Sequence, residues 1–423
     1  MKKKLGLTSK IFIGLILGLL TGIVLNNVGP SYVRDTILVG GIFELLGQLF
    51  LRGINMLVVP LVFISLVNGA ASMSDIRKLG RVGTKTLLFY LVTTAVAITF
   101  AIGVAYVINP GVGLDMSKLV KSEPTIQAAK PLVQVIYEMI PKNPFAAMVE
   151  GSMLQIIVFA LLLGASLTAL GEKAQKVTEI FNQLNEVIMK IVDFVMLLAP
   201  YGVFALIART FASLGFDAME PLAKYMLAVL LALFLHTTVT YSGLLVIFAR
   251  LNPIRFFKKF APAMGVAFST SSSNATIPVT LETVEEKIGA SKNIASFTIP
   301  LGATINMDGT SIMQGVATVF ISQLYGLPLS MSAILTVILT ATLASIGTAG
   351  VPGVGLIMLS MVLTAVGLPV EGIALIIGID RILDMTRTAV NITGDAICTT
   401  IVSKLEGEFD ENIFNSDEEE ATA

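Results

Sequence analysis

Long apolar runs separated by short polar gaps dominate the first 250 residues of the chain. A bilayer span needs about 20 mostly apolar residues. Beyond Arg250 the apolar stretches continue to Ser403, but Gly, Ser, Thr, Asn and Asp interrupt them repeatedly. The pattern predicts an all-α polytopic membrane protein. Its uninterrupted spans are predicted at about residues 11–28, 39–68, 86–108, 150–171, 178–209 and 221–249.

Basic residues fall in alternate gaps between these spans. Cytoplasmic loops carry an excess of Lys and Arg. The gaps "NNVGPSY" and "SLGFDAME" carry neither, whereas basic clusters follow the second, fourth and sixth spans. One gap, at about 109–130, breaks the pattern with lysines balanced by acids, and we interpret it as a long outer loop. Both termini are therefore predicted to lie in the cytoplasm, with the chain in the cell membrane.

The two ends of the chain differ in character. The N-terminus, "MKKKLGLTSK" followed by an apolar run, resembles a signal peptide. A small-residue cleavage site does not follow cleanly, which favours a retained first span. The acidic stretch at 406–423 is poor in apolar residues and is predicted to be a disordered cytoplasmic tail.

Composition agrees with a membrane protein. The chain is 55% hydrophobic and 13% charged, against about 25% charged in soluble domains. The net charge of −1 gives no indication of a nucleic-acid partner. The single cysteine, Cys398, excludes an internal disulfide framework.

Two Ser/Thr- or Gly/Pro-rich segments interrupt the last third. "FSTSSSNATIPVT" (268–280) and "SIGTAGVPGVG" (345–355) each lie between apolar arms too short to span comfortably. Non-helical backbone at membrane depth is tolerated only where protein or a water-filled cavity surrounds it. Paired interrupted segments indicate the central site of a transporter. We predict two re-entrant helical hairpins in inverted repeats; flexible loops joining ordinary helices are the alternative.

Between these segments, "TINMDGTSIMQG" (304–315) places Asn and Asp in the middle of an apolar span. A helix broken there exposes backbone carbonyls, and carbonyls with a carboxylate suit a hard cation such as Na⁺. A kink held by local hydrogen bonds is the alternative.

A polar stripe follows in "RILDMTRTAVNITGD" (381–395). At 3.6 residues per turn, five polar residues lie within about 80° of one another on one helix face. Charges at membrane depth are costly and indicate a functional site, although a structural ion-pair ladder is the alternative. The stripe consists of Asp380, Asp384, Arg387, Asn391 and Asp395.

The stripe suits one class of ligand. A guanidinium fits a carboxylate through two parallel hydrogen bonds, and a nearby aspartate suits an ammonium group. Asn391 and the Ser-rich segment can donate to a second carboxylate, so the expected substrate is an acidic amino acid. Neither a nucleophile–base pair nor an ATP-binding loop is evident, so we expect no enzyme and no cofactor. The lone histidine, His236, is interpreted as a proton relay or, preferably, a packed polar contact.

Four motifs in order, "SSSNATIPVT", "NMDGT", "GTAGVPG" and "DMTRTAVNITGD", resemble those of the glutamate/aspartate:cation symporter family. The resemblance covers essentially the whole chain. It implies a homotrimer with eight transmembrane helices and two hairpins per protomer, working by an elevator mechanism. It implies scaffold spans 1–2 at 1–85, transport-domain span 3 at 86–110, an outer loop with scaffold spans 4–5 at 111–215, the transport core at 216–405 and the tail at 406–423.

The resemblance also implies ligands. The substrate residues would be Ser272, Ser273, Thr310, Gly350, Val351, Gly353, Asp384, Arg387, Thr388 and Asn391. The sodium ligands would come from three groups: Gly302, Asn306, Asn391 and Asp395; Tyr90, Thr93, Thr94, Asn306 and Asp308; and Thr304, Ser345, Ile346 and Thr348.

Two departures bear on these expectations. Several members of the family carry an extra arginine where this chain has Ser271 or Met385, and Arg381 is present instead. Proton-coupled bacterial members tend to carry a glutamate where Tyr90 stands, so sodium coupling is predicted and proton coupling is the alternative. A dicarboxylate transporter, a neutral amino acid transporter, an ion channel and a membrane enzyme are less compatible with these residues.

Overall fold

The structure, a computed structural model, describes residues 7–72, 80–113, 137–215, 219–346, 348, 350 and 353–416. These residues form helices joined by turns, and none of them lies in a β-strand. In chain order we number the helices α1 (Leu7–Asn27), α2 (Glu44–Ser72), α3 (Arg81–Ile108), α4 (Pro144–Glu150), α5 (Met153–Leu170), α6 (Gln175–Met196), α7 (Ala199–Leu214), α8 (Met219–Leu235), α9 (Pro253–Thr270), α10 (Ser273–Glu282), α11 (Lys292–Ile305), α12 (Asp308–Leu324), α13 (Met331–Ser345), α14 (Val354–Ala365), α15 (Ile373–Glu406) and α16 (Glu411–Asn415).

Several of these helices extend through π-helical turns. Val33–Phe43 leads into α2, and His236–Tyr241 and Leu245–Ala249 prolong α8. Within the described chain, five helical stretches are long and apolar enough to cross a membrane. They are Ser9–Asn27, Val33–Asn68, Arg81–Ile108, Gln155–Met196 and Met219–Ala249.

The predicted fifth span, 178–209, has the wrong boundaries. It crosses a junction, because α6 ends at Met196 and α7 begins at Ala199. Pro200 lies in the first turn of α7, where a helix tolerates a residue without an N–H group. For the same reason Pro200 cannot donate the backbone hydrogen bond that would continue α6. A proline between two apolar runs was the available signal for this break.

One set of helices comprises α1, α2, α5, α6 and α7. The helix α1 runs against α7, and α2 packs against α5, α6 and α7. Gly14, Gly18 and Gly22 of α1 leave room for the α7 backbone, because an added Cβ would overlap Pro200, Phe204 or the residues around Ala208. Small residues at helix contacts allow such close approach within a membrane.

The second set comprises α3 and α8–α15. Here α15 lies at the centre, in contact with α3, α8, α9, α11 and α12. The two sets meet where α14 packs on α2 and α5 and where α15 packs on α7. At this boundary Met196 lies against Gly353, which has a left-handed φ of 86°.

Three helix interruptions lie in the second set. The helices α9 and α10 pack on each other and are separated by a break at Ser271, whose φ is 52°. The helices α13 and α14 also pack on each other, and the break between them lies around Gly350. The two breaks touch, because the Ser272 hydroxyl donates to the Gly350 carbonyl at 2.7 Å. The third break separates α11 from α12 at Asn306 and Met307. The interruptions predicted from the Ser-rich, Gly/Pro-rich and Asn-Met-Asp segments therefore fall at the expected places.

The chain after α15 packs on the base of the α9–α10 pair. The buried Lys259 Nζ donates to the carbonyl oxygens of Lys287 at 2.9 Å and Ile413 at 2.6 Å. Phe414 is 2% exposed, and the Asp410 amide donates to the Gly289 carbonyl at 2.8 Å. The prediction of a disordered tail is therefore wrong for the described part of that segment, because one aromatic side chain gives an acidic stretch an apolar anchor.

Candidate functional site

The polar stripe of α15 is buried, and its charges pair with one another. Arg387 is 0% exposed. Its Nη1 donates to Asp380 Oδ1 at 2.7 Å, and its Nη2 contacts Asp380 Oδ2 at 3.3 Å and Asp384 Oδ1 at 2.8 Å. The guanidinium is thus held by two carboxylates on its own helix. One of these carboxylates, Asp384, also lines a cavity.

Asp384 connects this cluster to a cavity. Its second oxygen lies 3.4 Å from Arg381 Nη1, so one carboxylate joins two arginines. The cavity beside it has a volume of about 20 Å³ for a water-sized sphere, room for little more than one water molecule. Its walls are Ser271, Ser273, Met307, Thr310, Thr348, Gly350, Val354, Gly355, Asp384, Thr388 and Asn391.

The described walls leave little room in this cavity. An acidic amino acid exceeds the cavity, so binding requires the broken segments or the Arg387 side chain to move. Six of the residues expected at the substrate site line the cavity: Ser273, Thr310, Gly350, Asp384, Thr388 and Asn391.

The other expected substrate residues are not among those that line the cavity. Ser272 bonds to Gly350 instead of facing the cavity, and Arg387 is engaged by its two carboxylates. Gly353 lies against Met196 at the boundary with the first helix set. Val351 lies outside the described residues.

Asn391 joins the cavity to the α11–α12 break. Its Oδ1 accepts from the Gly309 amide at 2.7 Å, and its Nδ2 lies 3.4 Å from the Thr310 hydroxyl. Its main-chain carbonyl accepts from Asn306 Nδ2 at 3.1 Å. A shift of α15 at Asn391 would therefore move the α11–α12 break, and a shift of the break would move Asn391.

Around Asp395 the structure brings together most of the first expected cation group. Asp395 Oδ1 accepts from Asn306 Nδ2 at 2.8 Å, and none of the described ion pairs includes Asp395. A Cβ on Gly302 would overlap both the Asp395 carboxylate and the Tyr90 hydroxyl, so these three groups are in close contact. Buried charge without a basic partner is the condition that a cation relieves.

Asp308 lies at the start of α12 and is fully buried. Its Oδ1 is 2.6 Å from the Thr94 hydroxyl. Its Oδ2 accepts from the Tyr241 hydroxyl at 2.8 Å and lies 3.1 Å from His236 Nε2.

The Thr94 hydroxyl that contacts Asp308 belongs to a group of hydroxyl and carbonyl oxygens on α3. The Tyr90 carbonyl accepts from Thr93 at 3.2 Å and from Thr94 at 2.7 Å. The Tyr90 hydroxyl itself donates to the Thr298 carbonyl at 3.0 Å. Members of the second expected cation group therefore lie at one place, as hard oxygen ligands of the kind that alkali and alkaline-earth ions accept.

The third expected cation group is less assembled. The hydroxyls of Thr304, Ser345 and Thr348 each donate to a carbonyl three or four residues earlier in their own segment. Ile346 is buried beside them in sequence. An added Cβ on Gly350 would lie 2.7 Å from the Ala303 carbonyl, which places the α13–α14 break next to the end of α11.

Sequence reasoning missed four contributors. Asp380 was on the predicted stripe but was not expected in the substrate site. Met307 lines the cavity, and His236 and Tyr241 contact Asp308. The prediction that His236 makes a packed polar contact agrees with its position. The spacing of five residues between His236 and Tyr241 did not indicate that both side chains contact Asp308.

An assembly of apolar helices broken around buried charges is the architecture of secondary membrane transporters. The chain belongs to the sodium:dicarboxylate symporter family, whose family model matches residues 7–405. This confirms the resemblance carried by the four motifs. The family consists of transporters and not of enzymes.

Curated relatives match almost the whole chain. The proton/sodium-glutamate symport protein of Bacillus caldotenax is 37% identical over 97% of this chain and 96% of its own length. The proton/glutamate-aspartate symporter of Escherichia coli is 38% identical over 96% of this chain and 94% of its own. An excitatory amino acid transporter of Caenorhabditis elegans is 35% identical over 84% of this chain and 80% of its own.

Proposed function

We propose that the protein is a secondary active symporter that imports L-aspartate or L-glutamate, driven by the sodium gradient. The observation that carries this is the buried Arg387, one helical turn from Asp384 and beside a small polar cavity. Relatives whose names specify glutamate or glutamate-aspartate symport support it.

The proposed substrate geometry follows from the charges. Arg387 holds the side-chain carboxylate with help from Thr310, and Asp384 holds the ammonium group. Asn391 and Ser273 hold the main-chain carboxylate. Binding must then exchange at least one of the Arg387–aspartate contacts for a contact to substrate, which ties substrate entry to the charge state of the stripe.

The remaining expected ligands complete this pocket. Thr388 lies beside Asp384, because its hydroxyl donates to the Asp384 carbonyl at 2.8 Å. The broken segments supply main-chain groups. These groups would belong to Gly350 and Val351, while Ser272 and Gly353 are the other residues expected at the site.

We propose sodium as the coupling ion, bound at Asp395, at Asp308 and near the α13–α14 break. Tyr90 supports sodium, because a tyrosine with an ordinary pKa near 10 is a poor proton carrier. Proton coupling is the second candidate, because the names of relatives mention protons with or without sodium. A hundredfold substrate gradient needs about 2.7 kcal/mol, and each net charge moved supplies about 2.3 kcal/mol per 100 mV. Two net charges moved at about 100 mV exceed this requirement whichever ion carries them, so the energy does not decide between sodium and protons.

We further propose that the two helix sets move as bodies. The set of α1, α2, α5, α6 and α7 would be the scaffold of a homotrimer in the lipid bilayer. The set of α3 and α8–α15 would be the transport domain, which slides as an elevator. Its α9–α10 and α13–α14 pairs would be the re-entrant hairpins that, with eight spans, complete the fold. Support comes from the packing of the helices into two groups, with Gly353 of the second set resting on Met196 of the first.

The function is tested in two steps. Thermal unfolding of the purified protein is measured with L-aspartate, L-glutamate, succinate and L-serine, each with and without Na⁺. We expect stabilisation by the two acidic amino acids only, and only with Na⁺. Uptake of labelled L-aspartate into proteoliposomes then compares an inward sodium gradient with an inward proton gradient in sodium-free buffer. Uptake in the proton arm alone would replace sodium coupling with proton coupling.

A further inference from the structure

One oxygen of Asp308 is held by two donors from a neighbouring helix. The Oδ2 atom lies 3.1 Å from His236 Nε2 and 2.8 Å from the Tyr241 hydroxyl. The carboxylate and the imidazole are both fully buried. With its Nε2 protonated, the neutral imidazole donates to the ionised carboxylate.

The local backbone explains how two residues five apart reach the same atom. In an α-helix, residues five apart point about 140° away from each other. His236–Tyr241 is instead a π-helical turn, in which hydrogen bonds span five residues, and such turns are frequent at functional sites. The two rings lie 4.5 Å apart, centroid to centroid. The backbone irregularity thus aims both side chains at Asp308.

The other oxygen of Asp308 faces different groups. Oδ1 lies 2.6 Å from the Thr94 hydroxyl, which also lies 2.7 Å from the Tyr90 carbonyl. The hydroxyl has one proton, so it donates either to Oδ1 or to the Tyr90 carbonyl, and donation to the carbonyl frees Oδ1 for another partner. Nearby, Asn306 Oδ1 is buried and has no hydrogen-bond partner among the described residues. These oxygens can turn toward a cation, whereas Oδ2 is already engaged.

We propose that His236, with Tyr241, is a positioning residue that locks the Asp308 carboxylate so that Oδ1 alone is presented to the coupling cation. This rests on the proposed cation coupling. His236 does not touch the ion; it keeps the carboxylate from rotating and from offering the wrong oxygen. Partners of this kind typically change metal affinity by about 10- to 100-fold when they are removed.

Substitutions at His236 separate positioning from packing. His236→Gln keeps an N–H donor at a similar reach, whereas His236→Asn stops short of Asp308 and His236→Leu removes the donor. Thr238→Val, an exposed position on the same turn, is the matched control. The readout is the NaCl concentration for half-maximal thermal stabilisation without substrate, at ionic strength held constant with choline chloride.

We expect the sodium midpoint to rise about tenfold or more in His236→Asn and His236→Leu. His236→Gln and Thr238→Val should stay within about twofold of wild type. Tyr241→Phe, which removes the second donor, should raise the midpoint too and decides the matter if His236→Leu fails to fold. L-aspartate affinity at saturating NaCl should change little in all variants, which a general packing defect would not allow.

Two failures are distinguishable. A wild-type protein without sodium-dependent stabilisation contradicts the proposed sodium coupling. A wild-type protein that responds to sodium, together with His236→Asn and Tyr241→Phe variants that keep its midpoint, overturns the positioning role alone.

Discussion

Replacing Arg387 is expected to remove the preference for acidic substrates. Arg387→Leu alone would leave Asp380 buried without its closest partner, and breaking a buried ion pair costs about 3–5 kcal/mol. The informative variant is therefore Arg387→Leu combined with Asp380→Asn, which removes the charge at 2.7 Å together with its partner. Asp384 keeps its contact with Arg381 at 3.4 Å, so the second carboxylate is not stranded.

The expected magnitude follows from the hydrogen bonds that Arg387 can make. It now uses Nη1 and Nη2 on carboxylates, and a substrate carboxylate would take two comparable bonds. Bonds to charged groups contribute about 1.5–3 kcal/mol each. The loss is then about 3–6 kcal/mol, or about two to four orders of magnitude in L-aspartate affinity. L-serine should bind the double variant no more weakly than it binds wild type.

The assay is isothermal titration calorimetry in detergent at saturating NaCl, with L-aspartate and L-serine as ligands. Arg381→Leu is the control, because Arg381 also contacts Asp384 but is a second, separate guanidinium on the same helix. A double variant that keeps wild-type affinity for L-aspartate would refute the reasoning. Loss of that affinity in Arg381→Leu would assign the role to Arg381.

Three further predictions concern the cation sites and the end of the chain. Asp395→Asn should abolish part of the sodium-dependent stabilisation and raise the melting temperature in sodium-free buffer, because it removes a buried carboxylate without a described basic partner. A sodium titration that matches wild type would contradict this. Gly302→Ala should raise the sodium midpoint, since the added Cβ would displace the Asp395 carboxylate or the Tyr90 hydroxyl; equal sodium midpoints for the variant and wild type would argue against that site. Phe414→Ala should lower the free energy of unfolding by about 3–5 kcal/mol, because Phe414 is 2% exposed; a chemical-denaturation shift below about 1 kcal/mol would show that the anchor is dispensable.

The positions of the interruptions could be predicted from the sequence. Ser-rich, Gly/Pro-rich and Asn-Met-Asp segments inside apolar runs carry a local signal, and the stripe of α15 follows from helical periodicity. The junction between α6 and α7 carried only the weaker signal of Pro200, and it was missed.

The side-chain pairing could not be predicted in the same way. The position of Asp380 indicated its helix face but not that it would bind Arg387, because the choice among the partners on that face depends on side-chain conformation. His236 and Tyr241 both contact Asp308 because a π-helical turn brings them to the same side of the helix. The 3.6-residue period of a regular α-helix does not predict that arrangement. The docking of Phe414 depends on a surface made by α9 and its neighbours, far away in sequence.

The attachment of the last described residues has a consequence for biosynthesis. Lys259 receives one of its carbonyl partners from Ile413, a residue synthesised 154 positions later. The base of the α9–α10 pair therefore stays incomplete, with Lys259 uncovered, until Ile413 has left the ribosome. A nascent chain interrupted after α15 would expose that lysine and the apolar seat of Phe414 at the membrane surface.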